Sequence, residues 1–303
     1  MRTDTEKQIL DVFADAGCVG WLHARRIGTQ EGTTGGEVGV GADDLVVTAS
    51  VYKLALLLAL CRSFEAGETD PRARVRVEPA DCTPGPTGVS LFRDPVTLSW
   101  RDLATSMMTV SDNAAADLIL GQVGLSSVES ILLDVGLTRT RIVGGTADAH
   151  RTLVIDAHAH TTAEAFASLA DNDEAWTVSA YDPSYASATT PREMTDLLEA
   201  IWTDRVLSAE QSAFVREIMA AQVWSHRIRS GFPYADVTVA GKTGTIGAIR
   251  NEVAVVSFPG ELPVAVSVFT RAARADPMLP LVDQAIGRAA QIAVTELRSG
   301  KLD

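Results

Sequence analysis

The stretch Leu45-Val46-Val47-Thr48-Ala49-Ser50-Val51-Tyr52-Lys53-Leu54-Ala55-Leu56-Leu57-Leu58 changes character midway, and the rest of the chain is organised around that change. Its opening residues complete a strand pattern, while Val51 to Phe64 is apolar on nearly all sides, as in a helix surrounded by protein. Ser50 therefore opens a buried helix, where exposed N–H groups and the macrodipole favour a developing negative charge. Lys53 follows one turn later on the same face, with its amine within reach of the Ser50 hydroxyl. Burial disfavours an ammonium, so a neutral lysine would be available to take the serine proton. The plainer alternative is a capping serine with a solvated lysine, which the run Leu54-Ala55-Leu56-Leu57-Leu58 makes harder to arrange.

On the N-terminal side, Thr5 to Ala16 reads as a helix, Val19 to Ile27 as a strand, and Gly28 to Gly36 as a hairpin loop before a second strand ending at Thr48. On the C-terminal side, Arg72 to Asp94 reads as an excursion without regular structure, and Ser99 then caps a helix from Trp100 to Val110. Helices follow at Ala114 to Val123 and Ser126 to Val135, closed by Gly124 and Gly136. Arg139 to Ala188 reads as loop apart from a helix at Ala163 to Ala170. Pro191 to Trp202 and Ser208 to Ala221 are amphipathic helices. Three β-rich runs then appear, Val237 to Thr245, Glu252 to Phe258 and Pro263 to Thr270, before a closing helix from Leu281 to Leu297. The pattern predicts an α/β fold of the α+β kind: residues 1–49 and 236–303 form one antiparallel sheet flanked by terminal helices, and residues 50–235 form a helical lobe. The groove between the lobes is the expected site.

Composition narrows the partners. A formal net charge of −13 argues against nucleic acid and anionic membrane, leaving a small-molecule substrate. The longest apolar run, Leu54 to Cys61, is too short to span a bilayer, and the polar N-terminus lacks the apolar core of a secretory signal. A cytoplasmic location is the expectation, although a mature form with its signal removed would read the same. Cys18, Cys61 and Cys82 are spaced as reduced thiols. Asp156, His158 and His160 have no further Cys/His cluster beside them, so neither a metal nor a cofactor is expected.

Arginine outnumbers lysine by 22 to 4, yet two of the four lysines lie in short motifs, Ser50-Val51-Tyr52-Lys53 and Lys242-Thr243-Gly244-Thr245. Arginine stays protonated in any protein setting, so chemistry that needs an uncharged amine requires lysine. Between these motifs lies Ser111-Asp112-Asn113. Taken singly, this triplet is an ordinary helix cap and Lys242 an ordinary edge-strand lysine. Together, a helix start, an interhelix loop and an edge strand can send side chains into one groove.

In that order the three motifs resemble those of class A serine β-lactamases and related penicillin-binding proteins. The segments Thr189 to Met194, Arg227 to Pro233 and Arg250 to Val256 are similar to that family as well. The resemblance implies Ser50 as the acylated nucleophile, Lys53 as base and Ser111 as proton relay to the leaving nitrogen. It implies Asn113 as a donor to the substrate amide, and Lys242, Thr243, Gly244 and Thr245 as the strand that receives the substrate carboxylate, helped by Arg250. The N–H groups of Ser50 and Thr245 would form the oxyanion hole. One family feature is missing: no E-x-x-L-N loop follows Ser111-Asp112-Asn113, and the interval up to Thr190 is some tens of residues longer than the family's. Glu164 is the nearest candidate for the deacylating carboxylate, but Thr161-Thr162-Ala163-Glu164 reads as a capping box. The expected activity is β-lactamase-like hydrolysis. Acyl transfer, D,D-peptidase, esterase or amidase chemistry, or a penicillin-binding sensor without turnover, are the alternatives.

Overall fold

A computed structural model describes residues 3–28, 36–170 and 178–299. The chain opens with α1 (Asp4–Asp15), β1 (Cys18–Arg26), β2 (Glu37–Val40) and β3 (Val46–Val47), and a 3-10 turn at Ala49–Tyr52 leads into α2 (Lys53–Glu65). The middle comprises β4 (Arg74–Val77), β5 (Val96–Ser99), α3 (Trp100–Thr109), α4 (Asn113–Val123), α5 (Leu125–Val135), α6 (Thr146–Asp156) and α7 (Thr162–Ala170). It continues through β6 (Ala188–Thr189), α8 (Pro191–Trp202) and α9 (Ala209–Ala220). The chain closes with β7 (Thr238–Ile246), β8 (Ile249–Ser257), β9 (Val264–Ala272) and α10 (Pro280–Ser299).

Strands from the two ends of the chain form one antiparallel five-stranded sheet in the order β2-β1-β9-β8-β7. Because strand side chains alternate between faces, adjacent residues of β8 serve different cores. Val253 and Val255 pack with Leu54, Leu57 and Phe269 toward the helical middle, whereas Ala254 and Val256 pack with Ile9, Phe13, Ile286 and Val294 of α1 and α10. Covered on both sides, the centre of the sheet is dry, and side chains near it are held in a low-dielectric setting.

Three readings need correction or completion. The second strand is broken at Gly41: β2 stays in the main sheet, while β3 leaves it to pair with β6, Val46 opposite Thr189 and Val47 opposite Ala188. The Arg72 to Asp94 excursion is partly ordered, since β4 pairs with β5 from Arg74↔Ser99 to Val77↔Val96; its arginines alternate with valines in a pattern too short to stand out. The segment from Arg139 to Ala188 contains a second helix, α6, whose weak amphipathicity hid it and whose start is fixed by tertiary contacts: Asp117 of α4 accepts from the amides of Thr146 and Ala147, both at 2.8 Å. Residues 171–177 of that segment, and 29–35 of the Gly/Thr-rich loop, lie outside the described residues.

Helix α2 buries ten of its thirteen residues, among them Lys53, Leu54, Leu56, Leu57, Leu58 and Leu60. At about 1.5–3 kcal/mol for each fully buried leucine, it anchors the helical core. A charged amine carried by such a helix must find partners or lose its proton. Among the described residues no single helix is long and apolar enough to cross a membrane.

Candidate active site

Ser50 lies in the 3-10 turn before α2, at the wall of a cavity of about 1040 Å³. Residues from all three motifs reach that wall: Ser50, Ser111, Asn113, Thr243 and Thr245. The edge strand β7 is pressed against the turn that holds Ser50. A Cβ added to Gly244 would lie 2.6 Å from the Thr48 carbonyl oxygen and 3.2 Å from the Ser50 nitrogen, so only glycine lets the strand approach this closely. Asn251 of β8 completes the seam by donating from Nδ2 to the carbonyls of Val47, at 2.8 Å, and Thr48, at 3.2 Å.

Neither Lys53 nor Lys242 lines the cavity; both amines are wholly buried just behind it. Lys53 Nζ donates to the Ser111 carbonyl at 2.8 Å, to Asn113 Oδ1 at 2.9 Å, to the Asp112 carbonyl at 3.3 Å and to Ser111 Oγ at 3.5 Å. Lys242 Nζ donates to the Thr243 carbonyl at 2.8 Å and to Ser111 Oγ at 2.9 Å. The Ser111 hydroxyl is thus the point at which both lysines meet. The bond expected between Lys53 and Ser50 is not made; four acceptors of the Ser111-Asp112-Asn113 triplet hold the amine instead. Lys242, expected to meet a substrate carboxylate, faces Ser111.

Burial brings the Lys53 ammonium down to about 7, against the opposing pull of Asp112 and Asp117. Burial also holds Lys242 well below the usual lysine range, and the charges of Lys53 and Arg227 push the same way. Two amines sharing one hydroxyl in a dry site disfavour simultaneous protonation. Behind β7, burial raises the Glu252 carboxyl to about 7, although the Ile228 amide donates to it at 2.6 Å and Gln222 Nε2 at 2.9 Å. Gln222 also accepts from the Thr243 amide at 2.7 Å, which ties the strand to the loop after α9.

The middle residue of the triplet is structural. Asp112 is fully buried and caps α4, accepting from the Ala115 amide at 3.2 Å, the Val89 amide at 2.7 Å, Ser106 Oγ at 2.7 Å and Ser90 Oγ at 3.2 Å. Its carboxylate thereby joins the end of α3, the start of α4 and the 3-10 turn at Gly88–Leu91. Asn113 is engaged at both ends, since its Nδ2 donates to the Pro84 carbonyl at 3.0 Å. Ala49 (φ 44°) and Ser111 (φ 60°) adopt left-handed backbone, which costs a non-glycine residue about 1–2 kcal/mol. Such strain, at Ser111 itself and beside Ser50, fits a functional site.

Arg250 lines the cavity but is tied down: its guanidinium donates to the carbonyls of Gly247, Ile249, Asp276 and Pro277. A neighbour with no role assigned from the sequence does more at the strand. Arg227, almost fully buried, donates to Thr245 Oγ1 at 2.8 Å and to the carbonyls of Gly244 at 3.0 Å and Asn251 at 2.8 Å, and it pairs with Asp283 at 2.7 Å. Arg227 precedes the 3-10 turn at Ile228–Gly231, which rests on Gly287 of α10. A Cβ at Gly287 would lie 2.5 Å from the Arg227 carbonyl oxygen. The signal in the sequence was an arginine-rich run, Arg227-Ile228-Arg229, ahead of the last strands. Glu164 serves its helix: its amide donates to Thr161 Oγ1 at 3.2 Å and its carboxylate accepts from the His160 amide at 2.9 Å. Among the described residues no group of His, Cys, Asp and Glu side chains is arranged to hold a metal ion.

Comparison with known proteins adds a lineage to this geometry. The model of the β-lactamase enzyme family matches residues 4–297. A curated relative, the β-lactamase regulatory protein BlaB of Streptomyces cacaoi, is 32% identical over 282 residues, covering 87% of this chain and 88% of the relative. The carbapenem-hydrolyzing β-lactamase KPC of Klebsiella oxytoca is 28% identical over 259 residues, covering 80% of this chain and 78% of that one. Among solved structures, a β-lactamase from Sphaerobacter thermophilus superposes with a TM-score of 0.77 at 20% identity, covering 98% of each chain.

Proposed function

The chain belongs to the β-lactamase enzyme family, and from that premise we propose that it is a serine hydrolase acylated at Ser50 by a β-lactam or a related amide that carries a carboxylate. One observation carries the reading: both buried lysines donate to the hydroxyl of Ser111, beside the turn that holds Ser50. In the proposed sequence, neutral Lys53 takes the Ser50 proton as Oγ attacks the substrate carbonyl carbon. The N–H groups of Ser50 and Thr245 receive the oxyanion. The carbon–nitrogen bond breaks as the Ser111 hydroxyl gives its proton to the leaving nitrogen and is reprotonated from Lys53. The hydroxyls of Thr243 and Thr245, with the cationic field of Arg227 and Arg250 behind them, suit the carboxylate.

Steady-state turnover of a chromogenic cephalosporin, paired with intact-mass measurement after exposure to penicillin, tests this. Turnover through a Ser50 adduct supports the reading. Turnover that survives Ser50→Ala contradicts it.

A second reading rests on a specific observation: BlaB is described as a regulatory protein, and here Glu164 is committed to a helix cap. On that reading the chain acylates and stays acylated. A lasting adduct without turnover would favour it.

A further inference from the structure

The cavity that holds Ser50 is also lined by α6, with Thr146, Ala149 and His150. The Thr146 hydroxyl lies 3.0 Å from that of Tyr52, two residues beyond Ser50. His150 is four residues further on, hence on the same face of the helix and about 6 Å along its axis. Its ring packs edge-on against Phe166 of α7, with centroids 5.7 Å apart. Its Nδ1 is buried, and among the described residues it has no hydrogen-bond partner. Buried polar atoms are nearly always paired, so an orphan nitrogen beside a binding cavity points to a partner supplied by a ligand or by water.

We propose that His150 is the general base of deacylation, taking a proton from the water that attacks the Ser50 ester. The inference rests on the acyl-enzyme reading above. The water oxygen bonds to the ester carbon while an imidazole nitrogen accepts its proton. The bond between that carbon and Ser50 Oγ then breaks, and the imidazolium returns the proton to Oγ. Free acid and free serine result, with no other co-reactant. Competing groups nearby are engaged: Asp148 accepts from the Gly145 amide at 2.9 Å and pairs with Arg151, and Glu164 accepts from the His160 amide.

The charged groups that bear on the ring come from packed neighbours. Burial holds the imidazole below its usual range, Asp117 of α4 opposes this, and Lys53 of α2 reinforces it. From the 3-10 turn at Ser179–Tyr181, Tyr181 is occupied by the Ala248 amide at 2.9 Å. The base is therefore neutral, and able to accept a proton, at neutral pH.

The test follows formation and decay of the Ser50 adduct with benzylpenicillin by intact mass in wild type, His150→Gln and His150→Ala. The expected result is acylation close to the wild-type rate and an adduct that lasts on the order of 100-fold longer in both variants. Wild-type decay should slow in acid as the imidazole protonates, the variants should lose that dependence, and added imidazole should shorten the His150→Ala adduct's lifetime. A purely structural histidine would shift the melting temperature without rescue by imidazole. Variant adducts that decay at the wild-type rate, or a wild-type adduct that never decays, would overturn the role of His150. Absence of both an adduct and turnover in wild type would overturn the acyl-enzyme reading itself, and this inference with it.

Discussion

On the side of the cavity built from the 3-10 turn, the Ser111-Asp112-Asn113 loop and β7, Lys53, Lys242, Ser111 and Asn113 are bonded to one another and Thr243 is tied to Gln222. On the side built from α6 and α7, Ala149, Ala163 and Phe166 share the lining with Thr146, Thr152 and Thr162 around an imidazole with an orphan nitrogen. The first wall is a satisfied polar network in a dry setting, where each member fixes the next and removing one leaves the others unpaired. The second is held mostly by apolar packing and by the Asp117 cap at its first turn. The contrast assigns them different tasks. A rigid network suits making and breaking the proposed bond to Ser50, and a wall of short hydroxyl and apolar side chains with few bonds among them suits accommodating the acyl group.

Ser50→Ala removes the proposed nucleophile and should lower turnover by ~10⁴-fold or more, with no adduct in an intact-mass assay. Lys53→Arg keeps the charge and loses the basicity, so acylation should slow by roughly 10²–10⁴-fold in a single-turnover experiment. In the wild type, acylation should rise with pH and level off above about 7 as Lys53 loses its proton, and Lys53→Arg should abolish that rise. The same depressed value bears on stability. Between about 7 and the ordinary lysine range the unfolded chain binds the proton that folded Lys53 refuses, so this residue makes stability rise with pH across that window; denaturant titrations at several pH values would measure it.

Arg227→Lys preserves the charge but cannot satisfy Thr245, Gly244, Asn251 and Asp283 together. It should lower kcat/KM by about tenfold and destabilise the fold by about 1–3 kcal/mol, read by kinetics and chemical denaturation. Glu164→Gln touches only a helix cap and should change stability by about 0.5 kcal/mol or less, leaving the adduct lifetime unchanged. A long-lived adduct in that variant would move the proposed deacylating base from His150 to Glu164 and redraw the second wall.

Legibility in the sequence followed the same division. The β-rich runs of β7 to β9, the helical patterns of α8 and α10 and the apolar run of α2 are local signals, and each led to the observed element within three residues at either end. The two motif lysines stood out because each position calls for an amine able to lose its proton, whereas the need for glycine at Gly244, with no room for a Cβ against Thr48, shows only in the fold. What the sequence hid depends on distant partners. The start of α6 is set by Asp117, the orientation of Lys53 by acceptors 58 to 60 residues away, and the importance of Arg227 by carbonyls on two strands. No local period carries that information. The partnering of Lys53 also went against the local expectation, because one helical turn brought it near Ser50 but the Ser111-Asp112-Asn113 loop offered four acceptors where Ser50 offers one.

The most direct test of the central claim is to locate the adduct by peptide mapping after brief exposure to benzylpenicillin, in wild type and in Lys53→Arg. The account predicts that the added mass resides on the peptide containing Ser50 and accumulates far more slowly in the variant. Modification at any other residue, or equal rates in the two proteins, would contradict it.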